Sequence, residues 1–298
     1  VDNFTISQLS QFSGIKPHTI RIWEQRYHAL TPHRSKGNTR YYDGTQLRRL
    51  LNIVSLSGTG VKLSRLGAMS DEELFEMIRE HSESAAENKD YAYFVNQLIS
   101  AGMNFDEFNF EKIFSHCLLR FGMLKTYVEV IHPLLNRIGL MWSADEIPPA
   151  HEHYISNLLR QKISTAIDSH PVEKAEKETW LLFLPEDEFH ELGLLFSNYY
   201  LRSKGKRVIY LGANVPLSSV VHALEEVDIQ YLLVFMVRND LSENIKNYLE
   251  ELAAVVDKTK ILVTGRAIKA IEPIENKSIL HIASVRDLDE ELEQTYRS

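Results

Sequence analysis

The sequence predicts a multidomain protein of the α and α/β classes, helical through its first half and closing on a parallel sheet with helices between the strands. Three observations carry this expectation. Apolar residues recur at helical spacing, with short polar breaks, through most of residues 1–168. Four short apolar runs, at 180–184, 208–211, 231–237 and 260–263, then alternate with helical stretches. The charge is divided as well. Residues 1–70 hold ten basic and three acidic side chains, a net of +7, which leaves 23 basic and 38 acidic residues, a net of −15, for the remainder.

At roughly 100–200 residues per domain, 298 residues allow two or three domains. A composition of 44% hydrophobic and 25% charged residues excludes wholesale disorder and collagen-like repeats. The single cysteine, Cys117, excludes an internal disulfide and any multi-cysteine zinc or iron–sulfur site, and fits a reducing, cytoplasmic compartment. The longest apolar run, residues 231–237, falls far short of the ~20 residues that a membrane span needs, so no membrane partner is expected. No basic-then-apolar segment at the start suggests export. The divided charge points to a polyanion-binding head on an acidic body, with a merely solvated basic face as the alternative.

Taken in order, the head reads as short helices. Thr5 caps a helix with Ile6, Leu9 and Phe12 as apolar positions, and Gly14 ends it. Pro17 suits the first turn of a second helix bearing Ile20, Ile22 and Trp23, with Arg21, Glu24 and Arg26 between them. Two short helices joined by a Gly-containing turn form a helix-turn-helix, whose second helix can enter a major groove. The stretch from Arg34 to Tyr42 is too polar and too rich in Gly and Asn for a helix, and reads as a small β-hairpin, or wing. Helical spacing returns at 46–56 and 61–66, and Ser70 with Glu73 has the capping-box pattern. These elements set a DNA-binding winged-helix domain at 1–75, with a helix end and linker at 76–89.

Residues 90–170 read as four helices, at 91–101, 105–121, 124–140 and 150–167, with short connections that suggest a four-helix bundle. A charged linker at 171–177 follows. The strand runs named above, helices at 188–203, 218–227 and 242–256, a weaker strand at 279–282 and a last helix at 287–296 complete a Rossmann-like, flavodoxin-type domain at 178–298. No P-loop, nucleophile–base constellation or metal-ligand cluster is present, so a non-enzymatic role is expected.

The first 70 residues or so resemble the MerR family of winged-helix transcription regulators. The run Thr19-Ile20-Arg21-Ile22-Trp23-Glu24-Gln25-Arg26-Tyr27, then Pro32, Arg34 and Asn38-Thr39-Arg40-Tyr41-Tyr42, carries the likeness. Arg21 is placed to contact bases or phosphate; Arg34, Lys36 and Arg40 to neutralise backbone charge. Tyr41 and Tyr42 are candidates to anchor the wing, one through its hydroxyl to phosphate and one through its ring to the core. Trp23 and Tyr27 suit core packing. Arg26 is open to DNA contact or to an ion pair with Glu24 or another acid.

The remaining two thirds resemble the cobalamin-binding module of light-responsive MerR regulators of the CarH/LitR type. Trp142, nine residues, then Glu152-His153 matches one signature of that group, and Glu188-Phe189-His190-Glu191-Leu192-Gly193 matches its acid-x-His-x-x-Gly signature. The chemistry of the second is direct. A neutral imidazole nitrogen can ligate cobalt, while a carboxylate at the other nitrogen fixes the tautomer. The resemblance implies His190 as lower cobalt ligand, Glu188 as its partner, and Gly193 as a close backbone approach to the corrin or its nucleotide tail. It further implies Trp142 as a cap over the upper face, with Glu152 and His153 lining that side. The neighbouring His151 completes a His-Glu-His run whose members diverge in direction on a helix and so make no metal site.

The resemblance implies a cytoplasmic regulator, a repressor, that binds double-stranded promoter DNA as a dimer or tetramer. Adenosylcobalamin would favour the oligomer and light would break it. Three positions depart from the pattern. Ser143 stands where the light-exposed form of the family has a second histidine ligand. Phe235-Met236-Val237-Arg238 replaces the Ser-containing segment that holds the nucleotide tail, and Thr264-Gly265 keeps one glycine, Gly265, of the usual pair. The segment Leu211-Gly212-Ala213-Asn214-Val215-Pro216 does fit the family's loop after its second strand. Two alternatives stand beside this reading: a MerR-type regulator with a cobalamin-independent or differently liganded sensor, and a corrinoid-carrying methyl-transfer protein, against which the +7 head argues.

Overall fold

The chain's computed structural model describes residues 4–35, 38–57, 60–74, 76–78, 91–143, 147–172, 178–237, 242–256, 259–267 and 279–295. It divides into two compact units, Val1–Asn157 and Leu158–Ser298.

In the first unit, Thr5 and Gln8 form a reciprocal cap on α1 (Ile6–Ser13), a device worth about 1 kcal/mol. Gly14 closes that helix at φ +72°, a conformation that favours glycine. Pro17 opens α2 (Pro17–Tyr27), where the missing N–H costs no hydrogen bond. The wing is an antiparallel pair, β1 (His33–Arg34) with β2 (Arg40–Tyr41), in register His33 to Tyr41. An isolated bridge from Phe4 to Tyr42 ties its base to the chain start. Next come α3 (Gly44–Ser57) and α4 (Leu63–Ala68), and Ser70 and Glu73 exchange the expected backbone–side-chain bonds. Of the expected helix end and linker at 76–89, residues 79–89 lie outside the described residues.

The bundle begins with α5 (Tyr91–Met103), buried from Tyr93 to Met103. A helix buried all round must carry its polar residues in pairs. Gln97 Nε2 accordingly donates to Ser55 Oγ of α3 at 3.0 Å, and Arg137 donates to Asn96 Oδ1 at 2.8 Å. Next, α6 (Glu107–Thr126) is bent at Gly122, φ +74°, the break expected from the sequence between residues 121 and 124. A π turn (Tyr127–Ile131) then leads into α7 (His132–Ser143), whose second residue, Pro133, has no N–H to continue an α pattern. Finally α8 (Pro149–Asp168) runs from the first unit into the second. Cys117 is buried, and burial pushes its thiol up to about 12, so it is inert rather than reactive.

The second unit is a five-stranded parallel sheet of order β4-β3-β5-β6-β7. Its strands are β3 (Thr179–Pro185), β4 (Arg207–Val215), β5 (Tyr231–Phe235), β6 (Lys260–Thr264) and β7 (Ile279–Ile282). Helices α9 (Leu192–Ser203), α10 (Leu217–Glu226), α11 (Ser242–Val255) and α12 (Val285–Thr295) connect and finish it. Within the unit this is the order 2-1-3-4-5, the flavodoxin-type winding. A central strand covered on both faces reads as a continuous apolar run, and β3 is buried from Thr179 to Leu184.

Two boundaries beside the acid–histidine segment differ from the sequence expectation by four residues each. Strand β4 continues past residue 211 to Val215, because irregular pairing with β3 around Phe183 and a left-handed Gly212 (φ +85°) let it bend and stay bonded. Helix α9 starts at Leu192 rather than 188. Asp187 is left-handed (φ +65°), and the Glu188 carbonyl accepts from Asn214 N–H at 3.1 Å, which holds the acid–histidine segment in a loop.

Candidate functional site

On the head, α2 presents an exposed face of His18, Arg21, Ile22, Gln25 and Arg26, while Ile20 and Trp23 are buried beneath it. That face combines a guanidinium, an amide and an apolar side chain, the groups that read base edges and thymine methyls in a major groove. Ile22, at 41% exposure, was assigned to the helix's apolar set by spacing, but it lies outside the buried stripe. Arg34 is exposed on the wing and donates to Asn38 Oδ1 at 2.5 Å. Lys36 lies outside the described residues.

Glu24 joins recognition helix to wing. It accepts from Tyr42 Oη at 2.9 Å and pairs with Arg40 Nε at 3.2 Å. The sequence left Arg26 as its candidate partner, whereas wing pairing brings Arg40 to it instead. Tyr42 is fully buried, its hydroxyl engaged by Glu24, and burial together with that carboxylate raises its pKa. This removes Tyr42 from the candidate DNA contacts and makes it the ring that anchors the wing to the core. Tyr41, half-buried, stacks on His33 with ring centroids 5.3 Å apart. An Arg21→Ala exchange is expected to weaken DNA binding and to lower the salt slope by about one, read from binding isotherms at several salt concentrations. An unchanged slope would remove Arg21 from the phosphate contacts.

Of the bundle residues that the resemblance assigns to a cofactor cap, Trp142 is 48% exposed near the end of α7. Glu152 and His153 stand in the first turn of α8, 3.2 Å apart, with Glu152 also accepting from Ser156 Oγ at 2.6 Å.

In the second unit the acid–histidine loop follows β3. Glu188 is buried, and its carboxylate accepts from the N–H groups of Phe189 (3.0 Å), His190 (3.1 Å) and Val237 (2.9 Å). The imidazole Nδ1 of His190 lies 2.6 Å from Glu188 Oε1. A buried carboxylate there makes Nδ1 the protonated nitrogen and leaves the Nε2 lone pair to serve as a donor to a metal. The His190 side chain is 52% exposed, so that lone pair is accessible. Glu191, inside the motif but given no role from sequence, accepts from Tyr210 Oη at 2.9 Å and pairs with Arg160 of α8. Asn214 was also missed: its Oδ1 accepts from Asp187 N–H at 3.0 Å, and its own N–H bonds the Glu188 carbonyl. Both lie in motif segments quoted from the sequence, but only the folded loop shows what they hold.

The two glycines assigned to a cofactor are closely covered by the chain itself. A Cβ on Gly193 would lie 2.4 Å from Phe235 Cζ, and one on Gly265 would lie 2.0 Å from the Met236 carbonyl oxygen. Arg238, the charged end of the substituted segment, lies outside the described residues. Among the described residues no group of three or more His, Cys, Asp or Glu side chains is arranged to hold a metal ion, and no helix is long and apolar enough to cross a membrane.

Comparison with known proteins meets this geometry at both ends. Residues 4–73 match the MerR HTH family regulatory protein domain, and residues 94–166 match the B12 binding domain. The HTH-type transcriptional repressor CarH of Myxococcus xanthus is 24% identical over 284 residues, 94% of each chain. Its companion CarA, from the same organism, is 26% identical over 269 residues, 87% of this chain and 85% of that one. The chain is thus similar to the CarH and CarA repressors over most of its length. In fold, the monomethylamine corrinoid protein of Methanosarcina barkeri superposes with a TM-score of 0.51 at 17% identity, covering 67% of this chain and 97% of that one. The chain carries a helix-turn-helix region, a helical bundle of the B12-binding type and a parallel sheet with the fold of that corrinoid protein. Its cofactor-side candidates fall on both units, Trp142, Glu152 and His153 on the first and Glu188, His190, Gly193 and Gly265 on the second.

Proposed function

We propose that this chain is a DNA-binding transcription regulator, a repressor, whose sensor half takes a corrinoid through His190. The observation that carries the reading is the half-exposed imidazole held at Nδ1 by a buried carboxylate, at the carboxyl end of a central parallel strand. A bound corrinoid would supply a cobalt centre that accepts this nitrogen as an axial ligand. The exposed face of α2, with Arg21, Gln25 and Arg26, and the wing residues Arg34 and Tyr41 serve as the DNA-reading surface. Trp142, Glu152 and His153 are further residues that we assign to the corrinoid.

In its fuller form the reading has an adenosyl corrinoid favouring an oligomer, a dimer or tetramer, that binds promoter DNA, with light releasing it. Ser143, in place of a second histidine, favours a light-exposed state without bis-histidine ligation. A second reading, a regulator that works without corrinoid, is favoured by the Phe235 ring over Gly193.

The test is to hold the protein in darkness with adenosylcobalamin or with adenosylcobinamide, which lacks the nucleotide. Absorption spectrum, native mass and affinity for promoter-region DNA are recorded before and after illumination. The expected result is a bound corrin spectrum accompanied by changed mass and DNA affinity. Bound corrin with both unchanged would end the sensor reading. DNA binding with neither corrinoid bound would establish the second reading.

A further inference from the structure

We propose that the corrinoid suited to this protein is one without a buried lower nucleotide, because Phe235 fills the crevice that such a nucleotide would enter. The inference rests on the reading of His190 as cobalt ligand and names the class of corrinoid. In an open parallel sheet, ligands enter the crevice at the carboxyl ends of the strands where the winding reverses. Here that point lies between β3 and β5, the neighbours from which the chain order runs outward in both directions. His190 stands on the loop after β3, and Phe235 is the last residue of β5.

The lower nucleotide of a cobalamin hangs from the corrin face that a protein histidine ligates. With His190 as the cobalt ligand the nucleotide base would be off the metal, and its arm would need room beside the histidine. The gap beside His190 lies between the first turn of α9 and the end of β5. Gly193 supplies the bare backbone there, and the Phe235 ring already lies on it: a Cβ at Gly193 would meet Cζ at 2.4 Å, Cε1 at 2.6 Å and Cε2 at 3.1 Å. The ring therefore occupies the space beside the Gly193 backbone, and a nucleotide base entering there would have to displace it.

The backbone that carries this ring is held from both sides. Phe235 pairs with Thr264 of β6, Met236 N–H donates to the Thr264 carbonyl at 2.8 Å, and Ala267 N–H donates to the Met236 carbonyl at 3.2 Å. Gly265, at φ +114°, gives its bare face to that carbonyl, so neither glycine keeps a free surface toward a tail. On the first-turn side, Glu188 accepts from Val237 N–H at 2.9 Å, which fastens the same segment to the histidine loop. The corrin ring is not excluded by Phe235, since the His190 side chain is half exposed and Phe189 beside it is exposed and apolar.

The test compares adenosylcobinamide with adenosylcobalamin, in darkness, on wild type and on Phe235→Ser. Displacing the nucleotide base from cobalt costs the same in both proteins and cancels when the two affinity ratios are compared. The expected result is that Phe235→Ser tightens adenosylcobalamin about tenfold or more relative to wild type while adenosylcobinamide changes by less than about threefold. Retained cobinamide binding shows that the variant is folded. If it is lost, Phe235→Leu, which withdraws the ring but keeps an apolar side chain, carries the same comparison. An affinity ratio unmoved by both variants would overturn the proposal and leave His190 as ligand intact. Binding of neither corrinoid to wild type would overturn it together with the sensor reading.

Discussion

His190→Ala is expected to lower corrinoid retention on the order of a hundredfold, with the DNA affinity of the corrinoid-free protein unchanged. The size of the effect follows from the geometry. Imidazole is the only nitrogen donor on this loop, and its orientation is set by a carboxylate that backbone N–H groups of residues 189, 190 and 237 hold in place. Glu188→Gln keeps the shape but sets an amide N–H₂ against those donors, so it is expected to lose about ten- to a hundredfold by misaligning the ring. Retention after gel filtration and the absorption spectrum of the bound corrin measure both effects. A His190→Ala protein that keeps wild-type retention and spectrum would place the cobalt ligand elsewhere.

Arg49→Ala is expected to destabilise the head by about 2–4 kcal/mol and to abolish its DNA binding, although Arg49 faces no groove. Its Nε donates to the Ala29 carbonyl at 2.7 Å, Nη1 pairs with Asp71 at 2.6 Å, and Nη2 donates to the Gly67 and Met69 carbonyls at 2.9 and 2.8 Å. One guanidinium therefore joins the segment after α2, the end of α4 and the turn after Met69. Removing it leaves carbonyls without donors in a part-buried site, and a lysine, with its single nitrogen, cannot span all four acceptors. A thermal melt and a DNA-binding isotherm on Arg49→Ala and Arg49→Lys check this. A melting temperature within error of wild type for the alanine variant would show the staple to be dispensable.

Arg49 also qualifies the charge argument. The +7 of residues 1–70 counts every basic side chain alike. Arg49 is held inside by four acceptors and Arg40 is partnered by Glu24, so the outward charge rests more on Arg21, Arg26 and Arg34. Composition records that a charge exists, whereas its direction depends on which carbonyl or carboxylate the fold brings alongside.

Much of the local architecture was legible without coordinates. The Thr5 cap, the Gly14 stop, Pro17 at a first turn, the wing and the Ser70–Glu73 cap all depend on contacts a few residues apart, which short-range spacing encodes. The alternation of apolar runs with helices was enough for a parallel sheet, since covered strands and amphipathic helices differ in period. The Glu188–His190 pair was equally readable, being two residues apart. What failed locally failed for a stated reason. Helix α9 begins late and β4 ends late because Glu188 and Asn214, 26 residues apart, bond to each other's segments.

By itself, then, the sequence determined the order and type of the elements, the basic head, and the identity of the histidine and its acid. Only the tertiary structure decided that Tyr42 belongs to the core, that Glu24 takes Arg40 rather than Arg26, and that Phe235 lies on Gly193. Each of these is a pairing between segments that strand register and helix packing bring together. Hydrophobic period and capping chemistry act over a turn or two of chain, so they select elements. Which side chain fills which gap is settled only when distant elements close on one another at the density of a packed interior.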